Sequence, residues 1–273
     1  MTDTDKVPAV LALAAHPDDI EFMMAGTLFL LKQAGWDVHY MNIANGNCGS
    51  ATDDSEMVIA RRRHEAIEAC EILGAHFYDS LCNDLDILYT PELIGKVTSV
   101  VRRVRPRIVL LQSPSDYMED HMISARIGVT AVFARGMRNY PGIPPLPPIG
   151  DEVVVYHALP YGLRTPLRKV IRPGLYVDIA SVLEKKRAML AAHRSQKEWL
   201  DVSQGQDSYL HTMETFARQV GHMSGVFQYA EGWRRRLHLG FSEREDDDPL
   251  REVLGAACRI DETYEADLGT LEE

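Results

Sequence analysis

The tetrapeptide His16-Pro17-Asp18-Asp19 puts an imidazole and two carboxylates directly after the apolar run Ala9 to Ala15. Such groups are costly to desolvate at the end of a buried strand unless a cation or a set of hydrogen bonds compensates them. Pro17 fixes its φ and stiffens the turn, so His16 and Asp19 can be presented as a pair while Asp18 points elsewhere. A helix cap from Asp18 or Asp19 is the competing account of the same residues. A later loop, Ser113 to His121, ends in Asp120-His121 before another helical stretch. His16, Asp19 and His121 then make three protein ligands with an open fourth position, as a catalytic zinc requires; a structural site would be closed, usually by cysteine. Hydrolysis is the natural chemistry of such a centre. Asp120 either orients an imidazole or caps the helix that follows.

Two histidines and a carboxylate also make the facial triad of non-haem Fe(II) oxygenases, which keeps Fe2+ open as the ion and oxygenation as an alternative reaction. A Rossmann-like binding module without catalysis is a third reading. It is weakened because Gly26 stands alone after the first strand, so no G-x-G-x-x-G cradles a pyrophosphate. Asn45 to Ser50 is glycine-rich and is expected to line the pocket, with Cys48 a weak candidate nucleophile because no base is paired with it. Asp84 is expected either to bind substrate hydroxyls or to be a solvated turn, and the same holds for Asp86.

These loops need a scaffold that brings them together. Ala9 to Ala15, Asp37 to Ile43, His76 to Asp79 and Arg107 to Gln112 read as strands. Phe22 to Gln33, Glu56 to Leu73 and Pro91 to Arg105 read as the helices between them, with Gly35, Gly74 and Pro106 as stops. Alternating strands and helices predict a parallel sheet whose ligand site lies outside the strands' carboxyl ends, where the loops after Ala15, Ile43 and Gln112 converge. Tyr140 to Pro148 holds five of the fourteen prolines and reads as an extended connection. Beyond it, strands Val153 to Ala158 and Leu175 to Ile179 and helices Ser181 to His193 and Ser208 to Met223 form a less regular part. One domain over 1–240 is expected, with its core at about 7–140 and a subregion at about 151–240. Residues 241–273 read as an acidic extension, peripheral or in contact with a neighbouring subunit, with a short helix from Pro249 to Cys258.

Ala15-His16-Pro17-Asp18-Asp19 after an apolar strand, with a late Asp-His before a helix, resembles the LmbE-like or PIG-L family of zinc-dependent N-deacetylases. Arg62-x-x-Glu65 with Ala69 and Leu73-Gly74, and His193-Arg194-Ser195-Gln196, agree with further segments of that family, so the resemblance spans roughly residues 9 to 200. It implies a Rossmann-like three-layer α/β sandwich with a mostly parallel sheet. It implies zinc on His16, Asp19 and His121, Asp18 as general base, and Arg62 near the substrate. An N-acetylated amino sugar or its conjugate is the implied substrate, and a homo-oligomer the implied assembly. One departure stands out: the family commonly reads His-Pro-Asp-His at the second loop, its first histidine stabilising the oxyanion, whereas Met118-Glu119-Asp120-His121 stands here. Methionine cannot donate a hydrogen bond. Tyr117 and His193 are the expected replacement donors, ahead of His157, His211 and His222.

Bulk properties set the outer limits. The chain has 273 residues, 45% apolar and 25% charged, the values of an ordinary globular protein. A formal net charge of −11 argues against nucleic-acid or anionic-membrane partners. The basic runs Arg61-Arg62-Arg63 and Arg234-Arg235-Arg236 read as helix faces or ion-pair sites. The four cysteines form no C-x-x-C pair, and the run Val7 to Ala15 is too short for a signal peptide or membrane span, so a cytoplasmic protein is expected.

Overall fold

A computed structural model describes residues 7–197 and 208–269. The polar stretch Met1 to Lys6 and the last four residues of the acidic extension lie outside the described residues. In chain order the elements are β1 (Ala9–Ala14), α1 (Asp19–Met23), α2 (Ala25–Gln33), β2 (Asp37–Asn42), α3 (Ser55–Leu73), β3 (His76–Tyr78) and α4 (Pro91–Val104). There follow β4 (Ile108–Leu111), α5 (Glu119–Ala134), β5 (Val154–Ala158), β6 (Leu175–Asp178), α6 (Leu183–Ala191) and α7 (Ser208–Ser224). β7 (Ala230–Arg235), α8 (Pro249–Leu254), β8 (Cys258–Ile260) and α9 (Glu262–Leu268) complete the chain.

The strands form one sheet in the order β3-β2-β1-β4-β5-β7-β6-β8. The first five pair in parallel, and β7, β6 and β8 are added antiparallel. Every residue of β1 is buried, as a strand covered on both faces must be. Its side chains alternate between two cores. Val10, Ala12 and Ala14 pack with Leu28, Leu31, Ala66 and Leu190 of α2, α3 and α6. Leu11 and Leu13 pack on the opposite face with Val97, Val101, Ile127 and Ala131 of α4 and α5. The expected three-layer α/β sandwich is the observed fold. β2 and β4 lie on opposite sides of β1, so the strand order reverses there and opens a crevice at the carboxyl ends.

The structure departs from the expected elements in three places. The helix expected over Phe22 to Gln33 is two helices broken at Met24 (φ −132°, ψ −23°). The break lets Glu231 of β7 accept from the amides of Gly26 and Thr27, each at 2.8 Å, so a distant carboxylate caps α2. The run Arg234-Arg235-Arg236 is not a helix face: its first two residues end β7, where Arg234 opposes His157 and Arg235 opposes Tyr156. The acidic extension is not peripheral. Tyr156 donates to Asp248 at 2.6 Å, Asp247 is buried against Arg107, and β8 pairs with β6 as the edge strand of the sheet. The expected terminal helix forms as an α-helix over Pro249–Leu254 and continues as a 3-10 turn over Gly255–Ala257. The proline-rich connection is irregular as expected, and the Arg102 guanidinium ties it down by donating to the carbonyls of Tyr140 and Leu146. Among the described residues no helix is long and apolar enough to cross a membrane.

Candidate active site

The turns after β1, β2 and β4 meet α7 around a cavity of about 630 Å³. His16, Asp18, Asp19, Arg62, Asp84, Tyr117 and His121 all line it, together with Phe22, Cys48, Gly49, Met118, Tyr161, Gln196 and Tyr209. His193 and Asp120 do not.

One donor atom from each of His16, Asp19 and His121 lies within 4.8 Å of the others. Asp19 places one oxygen 3.5 Å from His16 Nδ1 and the other 3.3 Å from His121 Nε2. Both separations are near the edge of a tetrahedron of ligands around a zinc-sized ion, about 3.4 Å for bonds of about 2.0–2.1 Å. The remaining ring nitrogens are held from behind: His16 Nε2 by Asp120 at 3.0 Å and His121 Nδ1 by Asp116 at 2.9 Å. A carboxylate behind each imidazole fixes ring orientation and raises ligand basicity. The donor set therefore fits a divalent metal. Of the two expectations for Asp120, orientation is the observed one. It serves His16 of the other loop, while α5 has Met118 at its start without a side-chain cap.

The electrostatics agree with a cation-seeking site. Burial opposes charge on His16, but Asp120, Asp19 and Asp84 outweigh it and hold its pKa up to about 10. His121 is raised against the same burial penalty by Asp19 and Asp116. Burial also opposes ionisation of Asp19, yet the two imidazoles push its pKa well below the usual carboxylate range. Metal uptake would displace these protons.

Asp18 has φ 107° and ψ −23°, a conformation L residues rarely adopt. Its carboxylate accepts from the Tyr209 hydroxyl at 2.8 Å and lies 3.4 Å from Arg62 Nη2, which also donates to the Pro17 carbonyl. Burial raises the Asp18 pKa, Asp19 adds to the rise, and Arg62 and Tyr209 restrain it. Arg62 is buried beneath the glycine-rich loop, and a Cβ on Gly49 would meet its Nη1 at 2.6 Å.

Other expectations are redirected. Asp84 lines the cavity and accepts with one oxygen from the Gly46 amide and with the other from the Cys48 amide, at 2.7 and 3.0 Å, so it also clamps the loop. Burial and the charges of Asp84 and Asp120 raise the Cys48 thiol pKa, the opposite of what a nucleophile needs. His193 is fully buried, with Nε2 3.1 Å from Glu21 but off the line of a good hydrogen bond. Its side chain does not line the cavity. The reason is the docking of its segment: Ser195 donates to Glu65 and Arg194 pairs with Glu68, both on α3, which turns His193 inward. His157 bonds the Gln112 carbonyl at 2.8 Å and is buried. Tyr117 stays at the mouth, exposed, with its ring edge-on to His121. Asp116, Tyr209 and Tyr161 carry no motif in the sequence, whereas Gln196 belongs to the His193-Arg194-Ser195-Gln196 segment. Asp116 sits in an irregular loop, and Tyr209 reads as an ordinary apolar-face residue of its helix.

A family model described as PIG-L, GlcNAc-PI de-N-acetylase, matches residues 11–132. Diacetylchitobiose deacetylase of Thermococcus kodakarensis is 31% identical over 239 residues, which cover 84% of this chain and 83% of the relative. 4-Oxalmesaconate hydratase of Pseudomonas putida is 29% identical over 199 residues, covering 69% of this chain and 74% of the relative. The solved N,N'-diacetylchitobiose deacetylase of Pyrococcus horikoshii superposes with a TM-score of 0.72 over 89% of each chain at 23% identity, a likeness of fold. By the family match and the extent of the T. kodakarensis relative, this chain belongs to the PIG-L (LmbE-like) family.

Proposed function

We propose that the protein is a metal-dependent deacetylase that removes the acetyl group of an uncharged N-acetylated amino sugar. The observation that carries this reading is the pairing of a strained, cavity-facing Asp18 with the His16, Asp19 and His121 donor set. A divalent ion on those ligands, zinc by the nitrogen-rich set and iron(II) as the alternative, would polarise the acetamide carbonyl and lower the pKa of its water towards ~7. Asp18 accepts the water's proton and returns it to the leaving amine. Asp120 and Asp116 keep the two imidazoles turned to the ion. Tyr117, which lies against His121 in the lining, is the candidate donor to the oxyanion where Met118 cannot donate. Similarity to deacetylases of N-acetylated sugars supports the reaction.

The lining supports an uncharged substrate. Among the described residues it offers three carboxylates and a single guanidinium, that of Arg62, already spent on Pro17 and Asp18. Residues 198–207 contain no Lys or Arg. One wall is aromatic: Tyr117, Tyr161, Phe22 and Tyr209 follow one another at centroid distances of 5.9, 5.5 and 5.0 Å. Such a wall packs against the apolar face of a sugar ring. A hydratase of a polycarboxylate, such as the P. putida relative is named for, would be helped by further cationic side chains, and among the described residues the lining offers none beyond Arg62.

The test is acetate release by the zinc-loaded protein from N-acetylglucosamine, N,N'-diacetylchitobiose and an anionic N-acetylglucosaminyl conjugate. The neutral sugars should be turned over, with kcat/KM about tenfold or more above the anionic one. No acetate from any of them sinks the deacetylase reading; preference for the anion sinks the charge argument alone.

A further inference from the structure

A second group of metal-ligand side chains lies far from the cavity. Asp37 and His39 are two apart on β2, and His76 opposes His39 on the neighbouring β3. The two-residue period of strands puts all three on one face of the sheet. They sit at the amino ends of these strands. At about 3.3 Å per residue Asp37 lies about 17 Å, and His39 about 10 Å, before the carboxyl end of β2, where the candidate active site opens.

We propose that Asp37, His39 and His76 form a second, peripheral site for a zinc-type divalent ion at the edge of the sheet. One donor atom from each lies within 4.8 Å of the others. His39 Nε2 is 3.2 Å from one Asp37 oxygen and His76 Nε2 is 2.9 Å from the other. The first separation is close to the tetrahedral edge of about 3.4 Å; the second is a hydrogen bond between His76 and Asp37, which an entering ion would replace. The rings stack at 4.8 Å with 25° between their planes, so both Nε2 atoms turn to the same carboxylate. The Tyr78 hydroxyl, 3.0 Å from His39 Nδ1, holds that ring in place from behind, as the carboxylates do in the candidate active site. His39 is buried, whereas the His76 and Asp37 side chains are open to solvent, so an ion can enter and keep water as its fourth ligand.

The consequence is mechanical. β3 is a three-residue strand at the outer edge of the sheet, and such a strand has few ladder bonds of its own. An ion shared by β2 and β3 pins it, and stabilises the folded chain as any ligand specific to the folded state does. Lys32, whose charge reaches His39, opposes a cation here.

The experiment counts zinc per chain by elemental analysis after equilibration against a chromophoric chelator. The unaltered chain should take up two ions, the weaker of which raises Tm. His76→Gln should weaken that ion about tenfold or more, since loss of even an outer partner of a metal costs 10–100-fold, and should leave acetate release unchanged. His121→Ala should keep one ion, lost when His76→Gln is added. A single ion per chain in excess zinc would overturn the proposal. So would a second ion whose affinity is unaffected by His76→Gln.

Discussion

Asp18 must be a carboxylate to accept a proton, yet it sits where burial favours the acid. Its neighbours resolve the conflict, which makes its pKa adjustable. Asp18→Asn keeps the shape and the Tyr209 and Arg62 contacts but cannot take a proton; kcat should fall about 10²–10⁴-fold with metal content unchanged by elemental analysis. A variant retaining a third of the activity would move the base role elsewhere. Tyr209→Phe removes a hydrogen bond that lowers the Asp18 pKa. The folded pKa then rises, so the acid limb of kcat/KM should move to higher pH while the alkaline limb stays. A pH–rate profile decides: an unmoved acid limb means that Asp18 is not the group titrating there.

At the scale of elements, the loop Asn45 to Ser50 acts as a lid over the Arg62 guanidinium. Asp84 holds the loop by two amides, and Gln196 reaches back to the Gly49 carbonyl at 2.9 Å. Gly49 is needed because Arg62 and Gln196 pass where a Cβ would stand, at 2.6 and 2.8 Å. Both neighbours are ends of flexible side chains, so Gly49→Ala should fold and displace them instead. Because misplacement of about 1 Å can cost about 10²-fold in rate, kcat/KM should drop about ten- to a hundredfold while Tm changes little. Wild-type kinetics in this variant would show that the Arg62 position does not matter to catalysis. The docking of Ser195 on Glu65 follows the same logic: it sets where Gln196 points, and its effect on the site is indirect.

For the whole molecule, the acidic carboxyl-terminal segment completes the sheet. Asp248 accepts from the buried Tyr156 hydroxyl and from the Arg251 amide at the start of α8. Asp248→Ala leaves that hydroxyl unsatisfied, at about 1–3 kcal/mol, and removes a helix cap worth about 1 kcal/mol. Urea unfolding should show a loss of roughly 2–4 kcal/mol with kcat intact, because Tyr156 and Asp248 lie away from the cavity. A loss under about 0.5 kcal/mol, the range of ordinary surface substitutions, would mean that this segment is peripheral after all.

The sequence alone determined the order of strands and helices through β5 apart from the break between α1 and α2, the parallel core, and the convergence of His16, Asp19 and His121, but not the added strands β7 and β8. What it did determine depends on local information: strand and helix periods, stop residues, and the rule that loops after parallel strands gather at one end. Tertiary structure decided the rest. Tyr209 meets Asp18 across 191 positions, and Glu231 caps α2 across 205; no local pattern marks such pairs. His193 resembles a site residue by its motif, but the docking of its segment on α3 buries it. Asp84 lines the cavity, yet it also takes two amides of the loop backbone, which its own loop does not foretell. Residue types show which chemistry a chain can carry out; packing selects which of those residues reach the cavity, because a buried polar group takes whatever partner the fold leaves nearest.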